Sequence, residues 1–158
     1  MGIKGRLIAA SSSNSPDILY ASSFSAPDLF IYFAAGKEKG VLVSTLEHSR
    51  ALKEVKRGVT VYNRVEFSRN PARAASNEEV ILELSKRKNV SSWQVPADFP
   101  VFFADYLRKN GIAIEPEQNS FFPERCVKKK TEVKLLKEIQ KITESSMELA
   151  RKILGESS

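Results

Sequence analysis

Cysteine occurs once in the 158 residues, at Cys126, and histidine once, at His48. A single cysteine excludes an internal disulfide and fits a reducing, intracellular setting. One cysteine and one histidine are too few for a structural zinc site. Long apolar runs are missing as well. Near the N-terminus the run is only Leu7 to Ala10, too short for a signal peptide or a membrane span. The expected location is therefore the cytoplasm, with no membrane partner. No G-x-G-x-x-G follows a strand-forming run and no Walker loop occurs, so dinucleotide and P-loop nucleotide sites have no support.

The reactive side chains that remain are thinly spread. His48 directly follows Glu47 in a helix-forming stretch, and adjacent helical residues point in different directions. A surface or half-buried structural histidine fits this better than a catalytic pair. Ser11-Ser12-Ser13 and Ser22-Ser23 have no G-x-S-x-G elbow around them and read as loop and turn residues. The first strand-forming run, RLIAAS, carries no acidic residue, which removes the carboxylate arrangement of ribonuclease H-type nucleases. Cys126 lies among Arg125 and Lys128-Lys129-Lys130, a basic setting in which an exposed thiol would be a candidate reactive group. Burial tendency favours a linker cysteine packed against the domain. By themselves, the residues show no active site.

The formal net charge of +6 raises the question of nucleic acid. The basic clusters are Lys53-Lys56-Arg57, Lys86-Arg87-Lys88 and Lys128-Lys129-Lys130. The first two fall in the last turns of helix-forming stretches, where cations complement the helix dipole. The third sits where a linker enters a helix. No aromatic residue alternates with them to stack on bases. A solvated basic surface is the reading, and no nucleic-acid partner is expected.

Apolar residues make up 42% and charged residues 28% of the chain, as in globular proteins. Arg6 to Ser11 is a candidate buried strand, followed by a turn at Asn14-Ser15-Pro16-Asp17. Leu29 to Ala35 and Val41 to Val43, joined between Gly36 and Gly40, make an antiparallel hairpin. Ser44 and Glu47 form a capping box that opens a helix to about Val55, ended by Lys56-Arg57-Gly58. Val59 to Phe67 has strand character, and a polar loop runs through Asn70-Pro71. Ser76 with Glu79 opens a second helix to about Lys88. Val90 to Val95 is a strand stopped by Pro96. Asp98 is placed to cap a third helix with Phe99, Phe102, Phe103, Tyr106 and Leu107 on one buried face. Ile112 to Ile114 is a last strand, ended by Pro116.

About six short strands alternating with about three helices predict a three-layer α/β domain, a mixed sheet with helices on both faces. That domain is expected over residues 1–123. Residues 124–158 read as a linker and one long amphipathic C-terminal helix. Its Val133, Leu136, Ile139 or Gln140, Met147, Ala150 and Leu154 fall near heptad spacing and need a partner. Without a further domain to meet, the stripe must fold back on its own domain, pair with another copy, or fray.

Two segments resemble a known family. Ile18 to Val55, ILYASSFSAPDLFIYFAAGKEKGVLVSTLEHSRALKEV, has a tyrosine, small residues and a phenylalanine (Tyr20 to Phe24) before a hairpin. An S-x-L-E-x-x-R-A segment then opens the next helix through Ser44, Leu46, Glu47, Arg50 and Ala51. Arg125 to Val133, RCVKKKTEV, fits R-x-[IV]-K-x-x-x-E-[IV] through Arg125, Lys128, Glu132 and Val133. Together they resemble the N-terminal domain of the creatinase/prolidase/aminopeptidase P metallopeptidases and its linker to the catalytic domain. The chain departs from the family at its start, where the helix preceding the first strand is missing or very short.

The resemblance implies an intact parent that cleaves the bond before or after proline in short peptides, using two divalent metal ions such as manganese, cobalt or zinc. The family's metal ligands are two Asp, one His and two Glu of a C-terminal pita-bread domain, and none can be carried onto this sequence. No cofactor is expected in this chain, and alone it should be inactive. Its partners by resemblance are the catalytic domain it lacks and a second copy in a homodimer, with the domain walling the substrate entrance. Phe24, Pro27 and Asp28, in the loop from Ser22 to Asp28, are the candidate gating or contact residues. Equally, Pro27 and Asp28 could simply set the turn before the strand. The same fold also occurs, by resemblance, in a non-enzymatic histone-chaperone subunit, so the alternative is a stand-alone protein- or peptide-binding module.

Overall fold

The computed structural model describes residues 2–68 and 75–156. The polar loop expected at Asn70-Pro71 lies outside the described residues. The chain divides into two compact units, Met1–Phe122 and Pro123–Ser158.

In the first unit the order is β1 (Ile3–Ala10), α1 (Pro16–Ser22), β2 (Phe30–Ala35), β3 (Glu38–Val43), α2 (Thr45–Glu54), β4 (Thr60–Asn63), α3 (Asn77–Arg87), β5 (Val90–Pro96), α4 (Val101–Lys109) and β6 (Ala113–Glu117). The strands form one sheet in the order β4-β3-β2-β1-β5-β6. β2 runs antiparallel to both its neighbours, and the other pairings are parallel. The predicted hairpin is β2–β3, turned at Gly36, whose φ of 60° suits glycine.

Alternation along the strands splits the core into two layers. Leu7 and Ala9 of β1 join one apolar cluster and Ile8 the other. Ile31 and Phe33 face the first, Phe30 and Tyr32 the second. Val80, Ile81 and Leu84 of α3 with Leu107 of α4 cover the first face, and Ile18, Ala21 and Ala51 of α1 and α2 cover the second. Sheets covered on both sides use nearly continuous apolar strands, which is why FIYFAA shows no polar alternation. This is the expected three-layer α/β arrangement. Trp93, fully buried, donates its indole N–H to Ser85 Oγ at 2.8 Å. A Cβ on Gly5 would lie 2.3 Å from the Trp93 ring, so the tryptophan fits only because β1 has no side chain there.

Several local expectations are corrected. The turn at Asn14-Ser15-Pro16-Asp17 opens helix α1, with Ser15 as N-cap and Pro16 in the first turn. The first strand begins at Ile3 rather than Arg6. The strand expected over Val59 to Phe67 ends at Asn63 and continues as a 3-10 turn, Arg64–Phe67, capped by the Asn63 side chain. Asp98 does not cap α4, which starts after Pro100 without a side-chain cap. Pro116 does not end the last strand: it lies inside β6, opposite Val95. β6 is the sheet edge, where a missing N–H breaks no ladder bond.

The second unit contains a 3-10 turn, Pro123–Cys126, and the helix α5 (Lys130–Glu156). Cys126 is exposed, against the expectation of a packed linker cysteine, because the short turn that carries it buries none of its residues. Among the described residues no helix is long and apolar enough to cross a membrane.

Candidate functional site

The candidate residues lie on the loop between α1 and β2, and serines hold that loop in place. Ser22 donates its hydroxyl to the Ile18 carbonyl at 2.7 Å and accepts from the Phe24 amide at 3.1 Å. Ser23 takes a left-handed conformation, φ 59°, at the end of α1. On the other side, the Ser12 hydroxyl donates to the Ala26 carbonyl at 2.9 Å and accepts from the Ala26 amide at 2.8 Å. Ser12 and Ser22 thus act as structural clasps; Ser22 is the last residue of helix α1 rather than a loop residue.

Arg50 of α2 closes the third side. Its guanidinium stacks on the Phe24 ring at 4.6 Å, donates to the Ser25 carbonyl at 2.8 Å and binds Glu47 and Glu54. Glu47 therefore faces Arg50, and its neighbour His48 is half-buried. The pinned loop leaves Pro27 and Asp28 exposed while Phe24 is wholly buried, edge-on to Phe30 at 5.5 Å.

Beside the loop is a concavity of about 280 Å³ whose lining includes Phe24, Asp28, Ser44, Glu47, Arg64 and Asn77. Phe24 and Asp28 are brought together there, whereas Pro27 is not part of the lining. Arg64 is steadied by donating to the Ala75 carbonyl at 2.7 Å. Sequence reasoning missed Arg64 and Asn77, which come from separate elements with no shared motif. Arg50 was within reach of it, since the S-x-L-E-x-x-R-A segment names it. Chemically, the concavity combines an apolar floor with carboxylates and one guanidinium, a lining suited to a small zwitterionic or peptidic group.

A second polar cluster sits near the β2–β3 turn. Lys88 donates to both carboxylate oxygens of Glu38 at 2.8 Å, and the Tyr62 hydroxyl bonds the same carboxylate. Partial burial opposes the charge on Glu38, but the hydrogen bonds from Lys88 and Tyr62 and the ammonium charge outweigh it, so its carboxyl lies below the ordinary value. Burial raises the Tyr62 hydroxyl, and the adjacent Glu38 charge raises it further. Other cations of the basic clusters are engaged too: Lys56 Nζ bonds the Tyr20 carbonyl at 2.6 Å, and Arg87 pairs with Glu83 at 3.0 Å.

Among the described residues no three His, Cys, Asp or Glu side chains are grouped to hold a metal ion. The two divalent metals implied by the resemblance find no matching donor set there.

No protein-family model and no curated protein matches the sequence. Solved structures do. The X-Pro aminopeptidase from Thermotoga maritima MSB8 superposes with a TM-score of 0.71 at 13% identity, over 92% of this chain and 39% of that one. The prolidase from Pyrococcus horikoshii OT3 gives 0.66 at 19% identity, over 92% and 37%. The Xaa-Pro dipeptidase from Bacillus anthracis gives 0.65 at 17%, over 86% and 35%. The chain thus spans less than two fifths of the length of these relatives. At such identities the likeness establishes fold and leaves function to the site. This chain carries the mixed α/β fold of prolidase and aminopeptidase P N-terminal domains, as the segments at Ile18 to Val55 and Arg125 to Val133 implied.

Proposed function

We propose that the chain is the non-catalytic N-terminal domain of an Xaa-Pro metallopeptidase, either dipeptidase or aminopeptidase, followed by the linker and first helix of its catalytic domain. The domain boundary in this reading is residue 123. The observation that carries it is the asymmetry of coverage: relatives named as prolidase and aminopeptidase match 92% of this chain but under two fifths of themselves. A prolyl amide has no N–H and a fixed φ, so a dedicated peptidase is the natural consumer of such bonds. The chemistry, with its two metal ions, would belong to the catalytic domain. This unit would contribute dimer contacts and a wall of the substrate entrance, with Phe24 bracing the loop that presents Pro27 and Asp28.

Two measurements test this. The chain alone, supplied with manganese or cobalt, is expected to leave Xaa-Pro dipeptides intact; turnover that persists through repurification would overturn the assignment. The reading frame beyond Ser158 is expected to encode two Asp, one His and two Glu as metal ligands. In that longer protein, Asp28→Ala should raise KM for a dipeptide several-fold with little change in kcat.

The concavity at Phe24, Asp28 and Arg64 favours a second reading, a peptide-binding module of the same fold. Titration of the chain with a proline-containing dipeptide, followed by amide NMR shifts, separates the two. Saturable shifts at Asp28 and Asn77 with a stop codon after Ser158 would establish the module.

A further inference from the structure

Segment by segment, the cations of the first unit read as solvated helix ends, but the sheet gathers them. The strand registers set Lys4 beside Ser92, Ala35 beside Glu38, Gly40 beside Thr60 and Ser92 beside Ala113. The amino ends of β1, β3, β4, β5 and β6 therefore share one level with the β2–β3 turn. Helices α2, α3 and α4 each lead into a parallel strand, so their C-termini arrive at that level too. Lys37 and Lys39 of the turn, Lys53 and Arg57 at the end of α2, Lys86 of α3 and Lys109 of α4 are all exposed there. The Lys88–Glu38 bonds at 2.8 Å tie the end of α3 directly to the turn. The acids of this end are already engaged: Glu38, Glu54, Glu83, Asp105 and Glu115 bind Lys88, Arg50, Arg87, Arg108 and Lys4. Among the described residues, the six exposed cations named above have no carboxylate partner. Three helix C-termini bring about −0.5 charge each, which offsets roughly a quarter of those six charges.

We propose that this end of the domain binds the phosphate backbone of a nucleic-acid duplex. The cations come from all three layers: α3 and α4 on one face, the turn in the sheet, and α2 on the other face. With layers about 10 Å apart they reach across roughly 20 Å, the scale of a duplex rather than of a single small anion. A duplex carries one phosphate charge per about 1.7 Å of its axis, so a rigid surface of this width meets several at once. Single strands are held by bases stacked on aromatic rings. Among the described residues the exposed aromatic side chain is Phe102, in the first turn of α4 and so at the opposite end of the domain. Phosphate contacts carry no sequence information, and binding is accordingly indifferent to sequence. The concavity with Ser44 and Arg64 follows the carboxyl ends of β3 and β4. Engagement of the candidate loop there leaves the basic end free, and the proposal does not rest on the peptidase reading.

Fluorescence anisotropy of the full chain with labelled DNA duplexes of two unrelated sequences tests this, from about 20 to 200 mM salt. The expected result is micromolar affinity at the lowest salt, equal for the two sequences. The logarithm of affinity should fall against that of salt with a slope of about −5, as six phosphate contacts require. Lys37→Ala combined with Lys39→Ala should weaken binding about 10-fold at low salt and make the slope shallower by about two. Lys134→Ala combined with Lys137→Ala removes as much charge from α5 and should leave the slope unchanged. Trp93, fully buried in the first unit, reports by its fluorescence that each variant is folded. The proposal is overturned by no binding at the lowest salt, or by an equal loss from the α5 pair. Tighter binding to the single strand, or equal binding to vesicles of anionic lipid, overturns it as well.

Discussion

Ser85 sits where two buried hydrogen bonds meet, taking the Trp93 indole N–H at 2.8 Å and giving its own hydroxyl to the Ile81 carbonyl at 2.7 Å. Ser85→Ala leaves the indole N–H buried and unpaired, which costs about 1–3 kcal/mol. Urea unfolding followed by Trp93 fluorescence should show this as a lower midpoint with an unchanged slope. Glu38 carries a pH signature. Its carboxyl is held below the ordinary 4.5 against burial, mainly by the hydrogen bonds from Lys88 and Tyr62. A group depressed in the folded state contributes stability that is present above its unfolded value and lost as pH falls through the folded one. The stability difference between the wild type and Glu38→Gln is therefore expected to be full at neutral pH and to shrink on acidification below 4.5. A difference that grows on acidification would refute it. Neither effect was legible in the sequence, because Glu38 and Lys88, like Trp93 and Ser85, meet only across the fold.

At the scale of elements, local signals worked where they were complete. Ser44 accepts from the Glu47 amide at 3.3 Å, and the Ser76 amide donates to Glu79 at 2.9 Å, so both expected helix starts are capped. Helix α1 escaped because its seven residues are too few for apolar periodicity to show. Its serine-proline start resembles a turn until tertiary packing buries Ile18 and Ala21. Pro116 misled in the opposite direction, since only the sheet order shows that β6 is an edge. The loop before β2 was legible as a loop, but its clasp was not: across 14 positions the Ser12 hydroxyl makes two bonds to Ala26, beside the Ser12 amide's bond to the Ala26 carbonyl at 3.1 Å. Ser12→Ala removes the two hydroxyl bonds, leaves the backbone one, and should cost about 1 kcal/mol. Hydrogen exchange at the Ala26 amide should accelerate while the core strands keep their protection.

Among the described residues, the buried hydrophobic ones all lie between Leu7 and Phe122. The last of them are held by Arg6, whose guanidinium stacks on Phe121 and Phe122 at 4.2 and 4.5 Å and bonds the Phe121 carbonyl. A chain ending after Phe122 is expected to unfold cooperatively at nearly the wild-type urea midpoint. One ending before Phe121 should lose the clamp and unfold at lower urea. Equal midpoints for the two would show that the clamp is dispensable. The alternation of strands and helices, the capped starts of α2 and α3, and the family likeness could be read from the residues alone, since each is written in short windows of apolar period and capping chemistry. The strand order, the edge that admits Pro116, the concavity uniting Phe24 and Asp28 with Arg64 and Asn77, and the Glu38–Lys88–Tyr62 cluster emerge only from the folded chain. These depend on contacts between residues far apart in the chain, and no local window contains both partners.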